Sequence, residues 1–327
     1  MLTKFTQQTG IQYPIICGAM YPCSNPELVA AASEAGGIGI IQPLSMVFVH
    51  KFKFEEGLKF IQSKTKKPIG MNIITEKSSK TYENRMRLWL DVALETGVRF
   101  FVTSLGNPRW VVDKVKAYNG IVYHDVTSRK WADKALDAGV DGLICVNARA
   151  GGHAGTLSSA ELFASLIELN VPLICAGGVG DHESFQQAID LGYAGVQLGT
   201  RFIATSECTA HADYKNAILN ADSKDIVLTD KISGVPVAII KTPYIEKIGI
   251  KANWLARYLL KHRRTKHWMR MFYTLQSLWK LKKASMEGGG YKDYWQAGKS
   301  VDGCKKILTV KQVMDEFLGG QRAPTPN

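Results

Sequence analysis

The six cysteines (Cys17, Cys23, Cys145, Cys175, Cys208 and Cys304) include no CxxC pair, and none stands with histidines at zinc-ligand spacing. Neither a disulfide framework nor a structural metal therefore organises the chain, and no metal is expected. Cys145 and Cys175 sit inside apolar runs and read as buried, inert thiols. No stretch reaches the ~18 uninterrupted apolar residues of a membrane-spanning helix. Met1 to Gly10 lacks the basic-then-apolar order of a secretion signal, so a cytoplasmic location is the expectation. No early GxGxxG opens the chain, which counts against an open dinucleotide-binding sheet. Acidic residues are absent from Lys251 to Lys283, a window that holds ten Lys and Arg residues. This one segment supplies most of the formal charge of +12, so overall basicity does not argue for nucleic acid, and none is expected as a partner.

What is present is a repeated alternation. Eight short apolar runs recur within 327 residues: Pro14–Ala19, Gly37–Ile41, Pro68–Ile74, Arg99–Thr103, Ile121–Asp125, Gly142–Asn147, Pro172–Ala176 and Gly195–Gly199. Longer amphipathic stretches separate them, such as Pro26–Ala35, Tyr82–Gly97, Arg129–Ala138, Ser158–Leu169 and Asp181–Leu191. Parallel strands covered by helices read as continuous apolar runs, and eight such units predict an α/β fold, a (β/α)8 TIM barrel. The barrel core is expected over 1–220. Residues 221–327 would form a mostly helical C-terminal appendage or lid. Within it, Asp222–Lys241 reads as strand and turn, Asn253–Lys283 as a basic helical region, and Leu308–Leu318 as a last amphipathic helix. Gly319–Asn327 reads as a frayed tail.

Barrel enzymes carry their chemistry at the carboxyl ends of the strands. Strand one ends in Gly18, Ala19 and Met20, strand three near Asn72, and strand five in His124 and Asp125. Strand seven ends in Ala176, Gly177 and Gly178, and strand eight in Gln197, Leu198, Gly199 and Thr200. Barrels often bind phosphate after strands seven and eight, where backbone amides approach it only if side chains are missing. Two glycine-bearing turns at consecutive strand ends therefore point to a phosphate site. Strand six runs into Ala150, Gly151, Gly152, His153, Ala154 and Gly155. A histidine flanked by glycines can approach a flat ligand and exchange a proton near neutrality, which makes His153 the candidate catalytic group. An amide such as Asn72 can both donate to and accept from a heterocycle edge, although a turn-forming role fits the pattern as well. His124 is expected to pack or bond inside the barrel mouth.

With these residues placed, the chain resembles the nitronate monooxygenase family, formerly the 2-nitropropane dioxygenases. The matching stretches are Tyr13–Ile16 through Gly18–Met20, Gly70–Asn72, Ala150–Gly155, Ala176–Val179 and Gln197–Phe202, with fainter echoes at Ile232–Pro236 and Tyr294–Ser300. The resemblance implies FMN as cofactor, with Gly18, Ala19, Met20 and Asn72 at its ring system and Ala150, Gly151 and Gly152 beside it. Asp125 belongs to the same expected set. Ala176, Gly177, Gly178, Gln197, Leu198, Gly199 and Thr200 would hold the ribityl and phosphate groups. It further implies oxidation of alkyl nitronates by O2 to a carbonyl compound and nitrite, with His153 as catalytic residue. NAD(P)H-dependent flavin reduction of quinones or enoyl thioesters is the alternative within the same superfamily.

Two departures touch the substrate. Val146 stands where the family commonly has glutamine, and Arg149 where it has glutamate. Arg149 could attract an anionic nitronate, and a surface ion pair is the plainer reading. The partners expected are thus a small nitronate and O2, with a homodimer as a further expectation. Trp254, Tyr258, Trp268 and Phe272 interleave with the basic residues of 251–283, a pattern also found in helices that bind acidic partners or membrane surfaces.

Overall fold

A computed structural model describes residues 1–75, 80–231, 236–251, 279–288 and 294–320. Eight parallel strands close into a barrel: β1 (Ile15–Cys17), β2 (Ile38–Ile41), β3 (Ile69–Thr75), β4 (Phe100–Gly106), β5 (Ile121–Val126), β6 (Gly142–Val146), β7 (Leu173–Ala176) and β8 (Gly195–Leu198). Each pairs with its neighbour in sequence, and β8 closes on β1 with Ile16 opposite Gln197. The eight apolar runs and the eight strands coincide. β1, β2 and β7 are buried at every residue and the other strands over most of theirs, because a helical layer covers the outside while side chains fill the inside.

Strand pleating divides each run between two cores. Ile16, Ile38, Ile40, Phe100, Val102, Tyr123, Ile144, Ile174 and Ala176 share the cluster inside the barrel. Cys17, Ile41, Met71, Phe101, Val122, Cys145, Cys175 and Val196 belong to the outer cluster with the helices. The same alternation sets the upper positions. Asn72, Asp125 and Gln197 follow the inward parity of Gly70, Tyr123 and Gly195, whereas His124 and Leu198 follow the outward one.

A short helix, Lys4–Thr9, seals the amino-terminal end of the barrel. It carries a capping box from Thr3 and Thr6 and ends on Gly10 in the left-handed conformation. Its Phe5 is fully buried, with ring centroids 5.6 Å from both Phe100 and Tyr123. The Tyr123 hydroxyl donates to Gln8 Oε1 at 2.7 Å, so the aromatic plug also finds a polar partner.

After β8 the chain forms a two-stranded antiparallel sheet, β9 (Ile226–Thr229) with β10 (Val237–Ile240), and later the helix Val310–Phe317. The strand-and-turn and last-helix expectations therefore hold. The basic region expected at Asn253–Lys283 lies outside the described residues over 252–278, and residues 279–286 are helical. Residues 321–327 of the expected tail, and 232–235 of one family echo, also lie outside them. Among the described residues no helix is long and apolar enough to cross a membrane, and no cluster of His, Cys, Asp or Glu could hold a metal ion.

Removing the plug should be costly. Phe5→Ala is expected to destabilise the fold by about 3–5 kcal/mol, read from the denaturant midpoint. A loss below about 1 kcal/mol would mean the barrel floor does not depend on that ring.

Candidate active site at the barrel mouth

The loop after β6 is built around Asn147, which is fully buried. Its Nδ2 donates to the Gly177 carbonyl at 2.9 Å, and its Oδ1 accepts from the Arg149 amide at 2.8 Å. Its backbone carbonyl accepts from both Ala150 and Gly155 at 3.2 Å. One side chain thus folds the Gly151-Gly152-His153 loop and ties it to the turn after β7.

That turn needs its glycines. Gly177 and Gly178 have φ of 119° and 81°, where side chains are strained. A Cβ on Gly177 would stand 2.5 Å from the Ala150 nitrogen, and one on Gly178 would stand 2.5 Å from Arg149 Nε. Gly199 differs. Its φ is −114°, and a Cβ there would meet nothing nearer than Met20 Sδ at 3.5 Å. Space is therefore open at Gly199, beside Thr200, as an approaching phosphate requires.

The described part of the C-terminal segment holds these turns from above. Ala238 of β10 donates to the Gly152 carbonyl at 2.7 Å. Lys299 donates to the Arg149 carbonyl at 2.9 Å, and Gly298 to Thr200 Oγ1 at 3.0 Å. Residues 298 and 299 thereby bridge the loop after β6 and the turn after β8. Arg201, almost fully buried, anchors that second turn through the Ala204 carbonyl and an ion pair with Glu316 at 3.3 Å.

The predicted residues converge with some corrections. Gly18 is buried at the mouth, its amide donating to the Leu198 carbonyl at 2.9 Å, and Ala19 packs on the inner core. Met20 lies beside Gly199. Asn72 is not at a strand end but midway along β3, with Nδ2 donating to the Val102 carbonyl at 3.2 Å. Leu198 turns its side chain into the outer core and offers only backbone to the mouth. His124 does not line the mouth either. Outward parity places it against Thr103, whose hydroxyl is 2.8 Å from Nδ1, and burial lowers its pKa to about 4. Asn147 and Arg201 were missing from the expected set. The glycines around Asn147 marked its loop but gave no sign of which side chain held it.

Three groups give the mouth its electrostatics. His153 is exposed, yet crowding by the loop lowers its pKa below the ordinary 6.5, so it is mainly neutral at pH 7. Its imidazole makes no hydrogen bond among the described residues. The Asp125 carboxyl is enclosed, its Oδ1 has no partner, and desolvation pushes its pKa up to about 7. Gln197 Oε1 is also buried without a partner. Unsatisfied acceptors inside a mouth are costly unless a ligand with N–H donors completes them. FMN has such a donor on its heterocycle edge and a phosphate at its other end. The two orphaned acceptors and the open glycine turn fit both, so Asp125 and Gln197 would hold the ring, and Gly177, Gly178, Gly199 and Thr200 the phosphate end.

Gly199→Ala should fold with unchanged stability but retain less flavin, measured as the flavin-to-protein ratio after gel filtration. Gly177→Ala should lose stability as well, because its Cβ collides with backbone. Equal flavin retention by Gly199→Ala would remove the phosphate from that turn. Asp125 provides a separate test. An acid raised from 3.8 to about 7 on folding favours the folded state fully below pH 3.8, and stability is lost as pH rises toward 7. Asp125→Asn in the flavin-free protein should therefore gain stability over the parent, and the gain should grow across that window and level off above it. A pH-independent difference would contradict the enclosed carboxyl.

Comparison with known proteins agrees with this architecture. The family model described as nitronate monooxygenase matches residues 3–320. A probable nitronate monooxygenase from Staphylococcus saprophyticus is 28% identical over 306 residues, covering 80% of this chain and 85% of that protein. A (3aS,4S,5R,7aS)-5-hydroxy-7a-methyl-1-oxo-octahydro-1H-indene-4-carboxyl-CoA dehydrogenase from Rhodococcus jostii is 27% identical over 252 residues, covering 77% and 69%. Among solved structures, FabK from Thermotoga maritima superposes with a TM-score of 0.80 at 29% identity, covering 98% of this chain and 96% of that one. From its glycine turns to its closed eight-stranded barrel, the chain belongs to the nitronate monooxygenase family of flavin-dependent oxidoreductases.

Proposed function

We propose that the protein binds FMN and oxidises alkyl nitronates with O2, giving a carbonyl compound and nitrite. The observation that carries this reading is His153. It is a mainly neutral imidazole on a glycine-flanked loop, held over the mouth by Asn147 below and Ala238 above. FMN, when bound, would supply the redox relay between substrate and oxygen. The chain's own residues orient and manage protons. Asp125 and Gln197 fix the ring edge from inside the barrel, and the glycine turns take the phosphate. His153 stands free to hold the nitro group or, with a neutral nitroalkane, to accept the proton from its α-carbon. A base must be unprotonated to act, and the lowered pKa keeps His153 so at neutral pH.

A second reading is redox chemistry on an acyl thioester. It is favoured by Val146 and Arg149, which depart from the family's common glutamine and glutamate, and by the CoA dehydrogenase among the relatives. Both readings use the same mouth.

Anaerobic mixing separates them. Ethylnitronate or propionate-3-nitronate should bleach the bound flavin, and readmitted O2 should return the colour with release of nitrite. Rapid bleaching by NADH, with no turnover of either nitronate, would sink the monooxygenase reading in favour of the reductase. His153→Asn should lower kcat/KM for neutral nitroethane by roughly 10²–10⁴-fold. In the parent enzyme that rate should fall on the acid side, below pH 6.5, as His153 protonates.

A further inference from the structure

Arg149 is the one cation seated directly on the glycine turn, among the described residues. The space that a Gly178 Cβ would fill is taken by its Nε at 2.5 Å and Cδ at 2.8 Å, so the guanidinium stem lies across the turn after β7. Its backbone is fixed at both ends, the amide by Asn147 Oδ1 at 2.8 Å and the carbonyl by Lys299 at 2.9 Å. The charged end is less committed. It is about half exposed (47%), and its contact with Asp302 Oδ2 is long, at 3.7 Å. That pair is too loose for a bidentate fork, and no side-chain hydrogen bond of Arg149 occurs among the described residues. Asp302 is itself occupied, accepting from the Ser223 amide at 2.7 Å. Asp181 likewise spends its carboxylate on Ser184, at 2.9 Å to the amide and 2.6 Å to the hydroxyl. A cavity of about 210 Å³ opens beside Arg149, lined by Gly178, Gly180, Lys299 and Ser300 and also by the carboxylates of Asp181, Asp302 and Glu183, the last accepting from Gln187 Nε2 at 3.2 Å.

We propose that Arg149 is a phosphate ligand for the flavin, adding a mobile positive fork to the backbone cradle of Gly177, Gly178, Gly199 and Thr200. An arginine is always charged, and its planar donors match phosphate oxygens two at a time. The loose contact with Asp302 gives the guanidinium a resting place from which a dianionic phosphate draws it away. Arg149 thereby serves as a specificity residue for the phosphorylated flavin over its dephosphorylated form. This assignment rests on flavin binding at the mouth, and the test keeps the two apart.

The experiment is titration of the flavin-free full chain with FMN, riboflavin and FAD, followed by flavin fluorescence at several salt concentrations. The parent should prefer FMN to riboflavin. Arg149→Gln should weaken FMN about tenfold or more while leaving riboflavin within about twofold, and should reduce the salt dependence of FMN binding. Arg149→Lys should fall between the two. Asp302→Asn, which leaves the guanidinium in place and frees it, should tighten FMN or leave it unchanged, and so tests the idea even if Arg149→Gln folds poorly. Equal weakening of FMN and riboflavin, an unchanged FMN affinity in Arg149→Gln, or weaker FMN binding by Asp302→Asn would overturn the assignment while leaving the flavin site standing. FAD bound more tightly than FMN by the parent, with that preference lost in Arg149→Gln, would move the arginine to a pyrophosphate and also overturn it. A parent chain that takes up none of the three would overturn the flavin reading itself, and this assignment with it.

Discussion

The mouth of this barrel depends on a single amide, the side chain of Asn147. It hydrogen-bonds the loop after β6 through its oxygen and the turn after β7 through its nitrogen. Its oxygen and nitrogen are both used, one on each side, in a place with no solvent to substitute for either. A buried side-chain amide with both ends satisfied has one orientation, and so does the backbone it holds. The glycine conformations at Gly177 and Gly178, the position of His153 and the seat of Arg149 all follow from that geometry. A side chain of similar size without the second donor would leave the Gly177 carbonyl unpaired and the loop free to choose.

Upon that base the site separates its titrating groups by environment. His153, crowded yet exposed, is held toward its neutral form, and Asp125, enclosed without a counter-charge, is held toward its own neutral form. Desolvation acts on both in the same way, disfavouring charge, and so moves a base down and an acid up. The result is a mouth with little fixed charge at its floor and a cation at its rim. Such a gradient suits a cofactor with an uncharged ring and a charged tail. The C-terminal segment completes the arrangement, since residues 298 and 299 and β10 close hydrogen bonds that the barrel loops cannot supply to one another.

Much of this was legible in the sequence. Strands buried on both faces leave continuous apolar runs, so the eight runs announced eight strands and their order. The glycine turns were legible because a missing side chain is itself a sequence signal. Parity was harder. His124 and Asp125 are adjacent, and only the pleat decides which faces the mouth; the run Ile121–Asp125 is apolar on both sides and gives no phase. Leu198 was misplaced for the same reason. Asn72 was set at a strand end because β3 continues past it as far as Thr75, through residues whose apolar character does not show where a strand stops. Asn147 and Arg201 were invisible as supports, since their partners lie 30 and 115 residues away in sequence.

The plug at the barrel floor has a consequence for how the molecule comes to exist. Phe5 and Gln8 lie ahead of every strand in the chain, yet their partners arrive with β4 and β5, and a Cβ on Gly195 of β8 would stand 3.2 Å from the Phe5 ring. On a ribosome the helix that seals the floor emerges before any of the strands and has nothing yet to seal. Its full set of contacts exists only once β8 has closed the ring on β1. Contacts of such long sequence separation slow folding, because the chain must close long loops before they can form. Any stretch of the chain that stops short of β8 therefore lacks part of the surface that Phe5 covers, and the floor is complete only when the ring is.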